Sequence, residues 1–317
     1  MNARVNSPIF AVPEPSFASL PSGQRMAYVA SGAGEPLVFV HGSLCDYRYW
    51  NAQTAALSKH FLCVSVSLGH YWPHDWPNDE ADAQGAFSWE AHVAELAEFI
   101  SVLHADPVHL VGHSRGACVA FQLARAHPAL VKTLTLADPG GPLDLGDGVE
   151  AALPPATLAL RARVAALIDS GELEAGLEMF VDSVSMPGIW RRSSPAFRSM
   201  ALANAATLPK QFRDPLPAYS RAAAGLVACP TLLIAGEKSP RMYRDNVEKL
   251  AGWIGQVDKR TIAGASHGMN VTHPASFNRL VQAFAGAANQ VPALPPSAHA
   301  GSAPPQSSPP RRESQSQ

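Results

Sequence analysis

Short continuous apolar runs alternate along this chain with segments whose apolar positions recur every three or four residues. The runs are "PLVFV" (Pro36 to Val40), "FLCVSVSL" (Phe61 to Leu68), "PVHLVG", "VKTLTLA", "PTLLIAG" and "VDKRTIA". "PLVFV" and "FLCVSVSL" are continuous β-rich runs, as expected of a parallel strand covered on both faces, and the other four follow as further strands. Between them, Trp89, Val93, Leu96, Ile100 and Leu103 keep helical spacing, as do Phe277, Leu280, Val281 and Phe284 near the end. The alternation predicts an α/β fold, a doubly wound and mostly parallel sheet whose ligand site lies at the carboxyl ends of its strands.

Two regions depart from this rhythm. Before it, "FASLPSGQRMAYVASG" reads as a hairpin around Ser22-Gly23. From Gly140 to about Leu226, "ALRARVAALIDSGELEAGLEMFVDSV" is helical and "MPGIWRRSSPAF" and "LPKQFRDPLPAY" are punctuated by proline, with no clear strand. The predicted organisation is an N-terminal extension (1–19), a core (20–139 and 227–289) and a helical lid (140–226). The stretch 290–317 has too few large apolar residues to fold, and is expected to be a disordered tail.

Composition narrows the partner. A chain of 317 residues, 47% hydrophobic, suffices for one large core with an insertion. A formal net charge of -2 offers no field to hold nucleic acid or an anionic membrane, so a small molecule is the expected partner. No apolar run approaches the roughly 20 residues that cross a bilayer. The start, "MNARVNSPIFAVPEPSF", shows no apolar run of signal-peptide length, and the scattered Cys45, Cys63, Cys118 and Cys229 read as free thiols of a cytoplasmic protein. Oligomeric state is left open.

The candidate chemistry lies at "LVGHSRGACVA", where a strand runs into a small-residue helix through Gly112-His113-Ser114-Arg115-Gly116. A G-x-S-x-G at such a junction is a nucleophile elbow: the serine is held in a strained turn, and its glycines let strand and helix approach closely. A serine hydroxyl needs a base. His267, in "AGASHGMNVTHP" after the last strand, stands out for that role among the twelve histidines. His113 is expected to point away from Ser114, and His104, His109, His127 and His273 read as surface, packing or helix-start residues. An oxyanion hole needs two preorganised N–H groups; Arg115 supplies one, and the loop after "VFV", His41-Gly42-Ser43, supplies the other through Ser43, with Leu44 beside it.

These motifs, spread over residues 20 to 288 as "VHGSLCDYRYW", "SVSLGHYWP", "LVGHSRGA", "PTLLIAGEKSP" and "IAGASHGM", resemble a serine hydrolase of the α/β-hydrolase fold. The resemblance implies a Ser-His-acid triad, no cofactor, and an acid after "PTLLIAG" in a G-x-x-D. Here that place is Ser239, in Gly236-Glu237-Lys238-Ser239. Asp138, at the end of the preceding strand, is the favoured acid, as in some relatives of the fold; Glu237, Asp245 or no acid at all are the alternatives. The reaction expected is attack of Ser114 on an ester, lactone or related acyl carbon, with C–C hydrolysis and perhydrolysis as variants. A binding protein on the same fold, its hydrolysis lost, is the competing reading.

Secondary signals concern the substrate. Arg115 is placed to bind a substrate carboxylate, to pair with Asp138 or Glu237, or to point outward. "GHYWPHDW" lies at the same sheet edge, so His70, Tyr71 and Trp72, with Tyr47 and Trp50, are expected either to wall the pocket or to pack the lid on the sheet. A metal at His70, His74 and Asp75 is disfavoured because Pro73 interrupts helical spacing, and no phosphate-binding G-x-G-x-x-G follows the first parallel strand.

Overall fold

The apolar runs, all but the last, become strands buried on both faces. In a computed structural model describing residues 13–73, 85–104, 106–146, 151 and 153–289, Val38 and Val40 face one hydrophobic cluster while Leu37 and Phe39 face another. The strands are β1 (Ser16–Ser19), β2 (Arg25–Ser31), β3 (Pro36–Val40), β4 (Leu62–Ser67), β5 (Val108–His113), β6 (Val131–Ala137), β7 (Thr231–Gly236) and β8 (Val257–Ile262). They form one sheet in the order β1-β2-β4-β3-β5-β6-β7-β8. The β1–β2 and β2–β4 pairs are antiparallel and the remaining pairs parallel. The chain passes from β3 to β4 on one side and returns to β5 on the other, so the carboxyl ends of β3 and β5 flank a topological switch point, where open sheets bind ligands.

Helices cover both faces. On one side α2 (Trp89–Val102) and α3 (Arg115–Ala126) bury Leu96, Phe99, Ile100, Val119 and Phe121 against the sheet; on the other, α1 (Asn51–Leu57) and the last helix, Pro274–Ala288, bury Leu57, Phe277 and Val281. Burying one such side chain contributes about 1.5–3 kcal/mol. The predicted hairpin around Ser22-Gly23 is present. Its first strand, Ser16–Ser19, pairs with β2, so the core begins before the expected boundary at residue 20.

Between β6 and β7 stand α4 (Pro155–Asp169), α5 (Leu173–Val184), α6 (Ile189–Arg192), α7 (Pro195–Ala203), α8 (Thr207–Arg213) and α9 (Arg221–Ala224); α10 (Arg241–Ala251), α11 (Met269–Thr272) and α12 (Pro274–Ala288) follow β7 and β8. The insertion has a small core of its own, including Val164, Ile168, Leu177, Phe180 and Leu208, into which Leu44 projects from the loop after β3. Residues 1–12 and the tail 290–317 lie outside the described residues. The four cysteines are free and buried, and no helix among the described residues is long and apolar enough to cross a membrane.

Candidate active site

β5 ends in the turn that carries Ser114, whose φ of 54° and ψ of -119° are rarely adopted by a side-chain-bearing residue. The flanking glycines make it possible. A Cβ on Gly112 would strike the backbone of Gly116 and Ala117, and one on Gly116 would strike the carbonyls of Val40 and His41. Helix α3 therefore starts hard against β3 and β5.

Three side chains from three strand ends meet here. His267, in the loop after β8, has its Nε2 3.0 Å from Ser114 Oγ, and its Nδ1 3.1 Å from Asp138 Oδ2. A carboxylate only accepts, so Nδ1 carries the proton and Nε2 is left to accept from the serine. Asp138 directly follows β6, has a φ of 41° and is fully buried. Its carboxylate also accepts from Ser239 Oγ at 2.5 Å and from the Gly236 amide at 3.3 Å. Ser239, in the position where the family pattern has its acid, thus donates to Asp138. Glu237 accepts instead from the Gly264 amide, and Asp245 pairs with Arg241 on an exposed turn of α10; neither approaches His267.

The loop after β3 is fixed by a histidine. His41 is buried, and burial lowers its pKa to about 4, so it is neutral at ordinary pH. Its Nε2 accepts from the Leu68 amide (3.1 Å), so Nδ1 donates to the Gly42 carbonyl (2.8 Å). The next residues, Ser43 and Leu44, leave their amides without hydrogen bonds among the described residues, and Leu44 has a φ of 63°. Ser43 Oγ donates to Gln211 Oε1 of α8 at 2.6 Å, tying this loop to the insertion. The Arg115 amide heads α3, where the first N–H groups of a helix have no internal acceptor.

Ser114, Ser43, Leu44, Arg115 and His267 line a cavity of about 850 Å³ between the strand ends and the insertion. Of the two expectations for the aromatic stretch, packing on the insertion is what the structure has, and none of Tyr47, His70, Tyr71 and Trp72 lines the cavity. Tyr47 packs on Trp72, Trp72 stacks under Arg48, Tyr71 sets its ring edge-on to His41, and His70 packs on Phe87. The Trp72 amide donates to Asn204 Oδ1 of the insertion at 2.8 Å, and Trp50 is in the core against Phe39 and Phe277. His74 and Asp75 lie outside the described residues. Arg115 takes none of its expected positions: its guanidinium is buried and pairs with Asp214, after α8, at 2.5 Å.

Other residues at the site carried no sequence signal for it. Tyr243 of α10 stacks on the His267 ring with centroids 4.0 Å apart, and burial pushes its pKa far above the usual phenol range. His113 donates from Nε2 to the His267 carbonyl at 2.7 Å and packs on the His267 ring, so it braces the histidine loop. Burial and the neighbouring imidazole hold its pKa well below the ordinary value. Adjacency to Ser114 was the one available clue. Asp214, Gln211 and Tyr243 belong to elements distant in sequence, and only the packing of the insertion and α10 brings them in.

Comparison with known proteins agrees with this architecture. Residues 37–280 match the model of the alpha/beta hydrolase family. The (E)-2-((N-methylformamido)methylene)succinate hydrolase of Acinetobacter baylyi is 24% identical over 83% of this chain and 95% of its own length. An uncharacterised protein of Mycobacterium tuberculosis is 31% identical over 119 residues, 38% of this chain and only 33% of the relative. Among solved structures, an esterase from Exiguobacterium antarcticum superposes with a TM-score of 0.71 at 18% identity, covering 86% of this chain and 99% of that one.

Proposed function

The chain belongs to the alpha/beta hydrolase family, and from that premise we propose that it is a serine hydrolase of small carboxylic esters or lactones, working through an acyl-enzyme. The observation that carries this reading is the unbroken relay Ser114 Oγ to His267 Nε2 (3.0 Å) and His267 Nδ1 to Asp138 Oδ2 (3.1 Å), facing a cavity. Ser114 Oγ attacks the acyl carbon and passes its proton to His267 Nε2. Asp138 stabilises the resulting imidazolium and holds the ring in the tautomer required. The negative oxygen is met by the Arg115 amide and by the unengaged amides at Ser43 and Leu44. His267 then protonates the departing alcohol. In the second half, water gives its proton to His267 and its oxygen to the acyl carbon, and the carboxylic acid leaves as Ser114 recovers its proton.

The insertion 140–226 acts as the lid of this site and sets which acyl and alcohol groups enter. The competing reading as a binding protein drew on Ser239 in the acid position; since Ser239 donates to Asp138, that feature no longer favours it. A fluorophosphonate probe tests the proposal. Labelling of the wild type and none of Ser114→Ala is expected, together with turnover of p-nitrophenyl butyrate. An unlabelled, inactive wild type would overturn the reading.

A further inference from the structure

Arg115, Arg161, Arg192 and Asp214 are the charged side chains that line the cavity among the described residues. Asp214 is already spent on Arg115. Arg192 is exposed and donates to the Pro187 carbonyl. Arg161, on α4, differs from both. It is half-buried, and among the described residues no carboxylate or carbonyl accepts from it. Its one partner is the ring of Phe212, whose centroid lies 5.3 Å from the guanidinium carbon.

Stacking on an aromatic face orients a guanidinium and leaves its N–H edge free to hydrogen-bond. Desolvating that edge without an acceptor costs free energy, and burial already lowers the Arg161 pKa. An anion entering the cavity removes this cost. The position is informative as well. Arg161 lines the same cavity as Ser114, as does Tyr243, whose ring stacks on that of His267. The guanidinium thus shares one chamber with the reacting serine, while much of the remaining wall, including Phe180, Val184, Met186 and Phe197, is apolar.

We infer that Arg161 is a carboxylate-binding residue of the substrate site, and that the substrate class is an ester or lactone bearing a separate carboxylate a short aliphatic chain away from the scissile carbonyl. A single guanidinium fork in an apolar chamber matches one planar monoanion and its two oxygens. Arg115, placed closer to the reacting centre by sequence, is neutralised by Asp214 and anchors the insertion instead. This inference rests on the serine-hydrolase reading for its chemistry but not for its binding.

The test compares mono-p-nitrophenyl glutarate with p-nitrophenyl valerate, which puts a methyl group in place of the carboxylate. The wild-type ratio of kcat/KM, anionic over neutral, is expected to be about 10 to 100, the range of one charge-assisted contact. In Arg161→Gln it falls to about one, and Arg161→Lys keeps part of it. A wild-type ratio at or below one, or a ratio unmoved in Arg161→Gln, overturns the inference. Calorimetric titration with glutarate, read in wild type and Arg161→Gln, separates the two proposals. Arg161-dependent binding without any turnover would keep the carboxylate site and sink the hydrolase reading. Turnover without preference and without glutarate binding would do the reverse, and absence of both defeats both.

Discussion

Ser114 and Asp138 follow adjacent parallel strands, and both adopt the left-handed backbone that side-chain-bearing residues avoid, yet the two turns are held by different means. The elbow is held by close packing: Gly112 and Gly116 let α3 lie where no Cβ fits. The acid turn is held by side chains from elsewhere. Asn246 Nδ2 donates to the carbonyls of Pro139 (2.8 Å) and Gly141 (3.0 Å), and Tyr219 donates to that of Gly140 (3.0 Å). Two backbone bonds join the turns: Ser114 N–H to the Ala137 carbonyl at 3.0 Å and Gly140 N–H to the Ser114 carbonyl at 3.1 Å. The nucleophile therefore needs a local sequence, whereas the acid needs partners spread over α10 and the insertion.

The largest expected effect tests whether the two turns form one catalytic unit. Ser114→Ala should reduce turnover to background, and Asp138→Asn should reduce kcat by ~10⁴-fold by favouring the wrong imidazole tautomer. Asp138→Asn combined with Ser114→Ala should cost no more than Ser114→Ala alone, because groups acting as a unit are not additive. Steady-state kinetics on p-nitrophenyl butyrate checks this. Full turnover in Asp138→Asn would remove the acid turn from the mechanism.

A smaller effect is expected from pH, acting on the elbow side. His41 and His113 are buried and neutral, with pKa values held down by desolvation, that of His41 to about 4. Between pH 4 and 6.5 the unfolded chain binds a proton at each position that the folded chain refuses, so stability rises with pH through that window. It is complete above about 6.5, and for His41 on the order of 3 kcal/mol is lost by pH 4. Glu95, pushed up to about 7 by burial, has the opposite sign: folded, it keeps a proton that the unfolded chain releases above pH 4.5, so its contribution declines from there to 7. Urea denaturation at pH 4.5 and 7 should show a steeper acid loss in Glu95→Gln and a shallower one in His41→Gln. Identical slopes in all three proteins would refute the assignment.

How much of this was legible follows from the same contrast. β3 and β6 have the bounds their apolar runs predict, because all residues of β3 and all but Lys132 of β6 are buried. The elbow was legible for its local signature, and Asp138 for strand adjacency once Ser239 broke the pattern. Of the two roles open to Tyr47, His70, Tyr71 and Trp72, packing prevailed over walling the pocket, since Tyr47 meets Trp72, Tyr71 meets His41, His70 meets Phe87 and the Trp72 amide donates to Asn204 of the insertion. Arg161, Asp214 and Gln211 were not legible, because neither a helical stretch nor a proline-punctuated one says which of its side chains meets a distant loop.

Ser239→Ala should sharpen the comparison on the acid side. It removes one of the donors to Asp138 and leaves the Gly236 amide and His267 in place. Loss of a hydrogen bond to a buried carboxylate is worth about 1.5–3 kcal/mol, so a Tm decrease of several degrees is expected. The kcat loss should be nearer ten-fold, since the His267 contact survives. A kcat loss as deep as that of Asp138→Asn would mean that Ser239, and not Asp138, governs the histidine.

The smallest effect separates the turns by stability alone. Glycine relieves a positive φ, which costs a side-chain-bearing residue about 1–3 kcal/mol. Among the described residues Ser114 has His267 alone as a side-chain hydrogen-bond partner, and it lines the cavity. Ser114→Gly should therefore raise stability by about 1 kcal/mol while abolishing turnover. Asp138→Gly relieves a φ of 41° as well, but it strands the Gly236 amide, the Ser239 hydroxyl and His267 Nδ1 in a buried site. Its net effect should be destabilising, because unsatisfied buried donors cost about 1–3 kcal/mol each. Opposite signs in urea denaturation at pH 7 are the expected result. Equal signs would mean that the two turns are held in the same way, and that strain at Ser114 is not a stability cost retained for function.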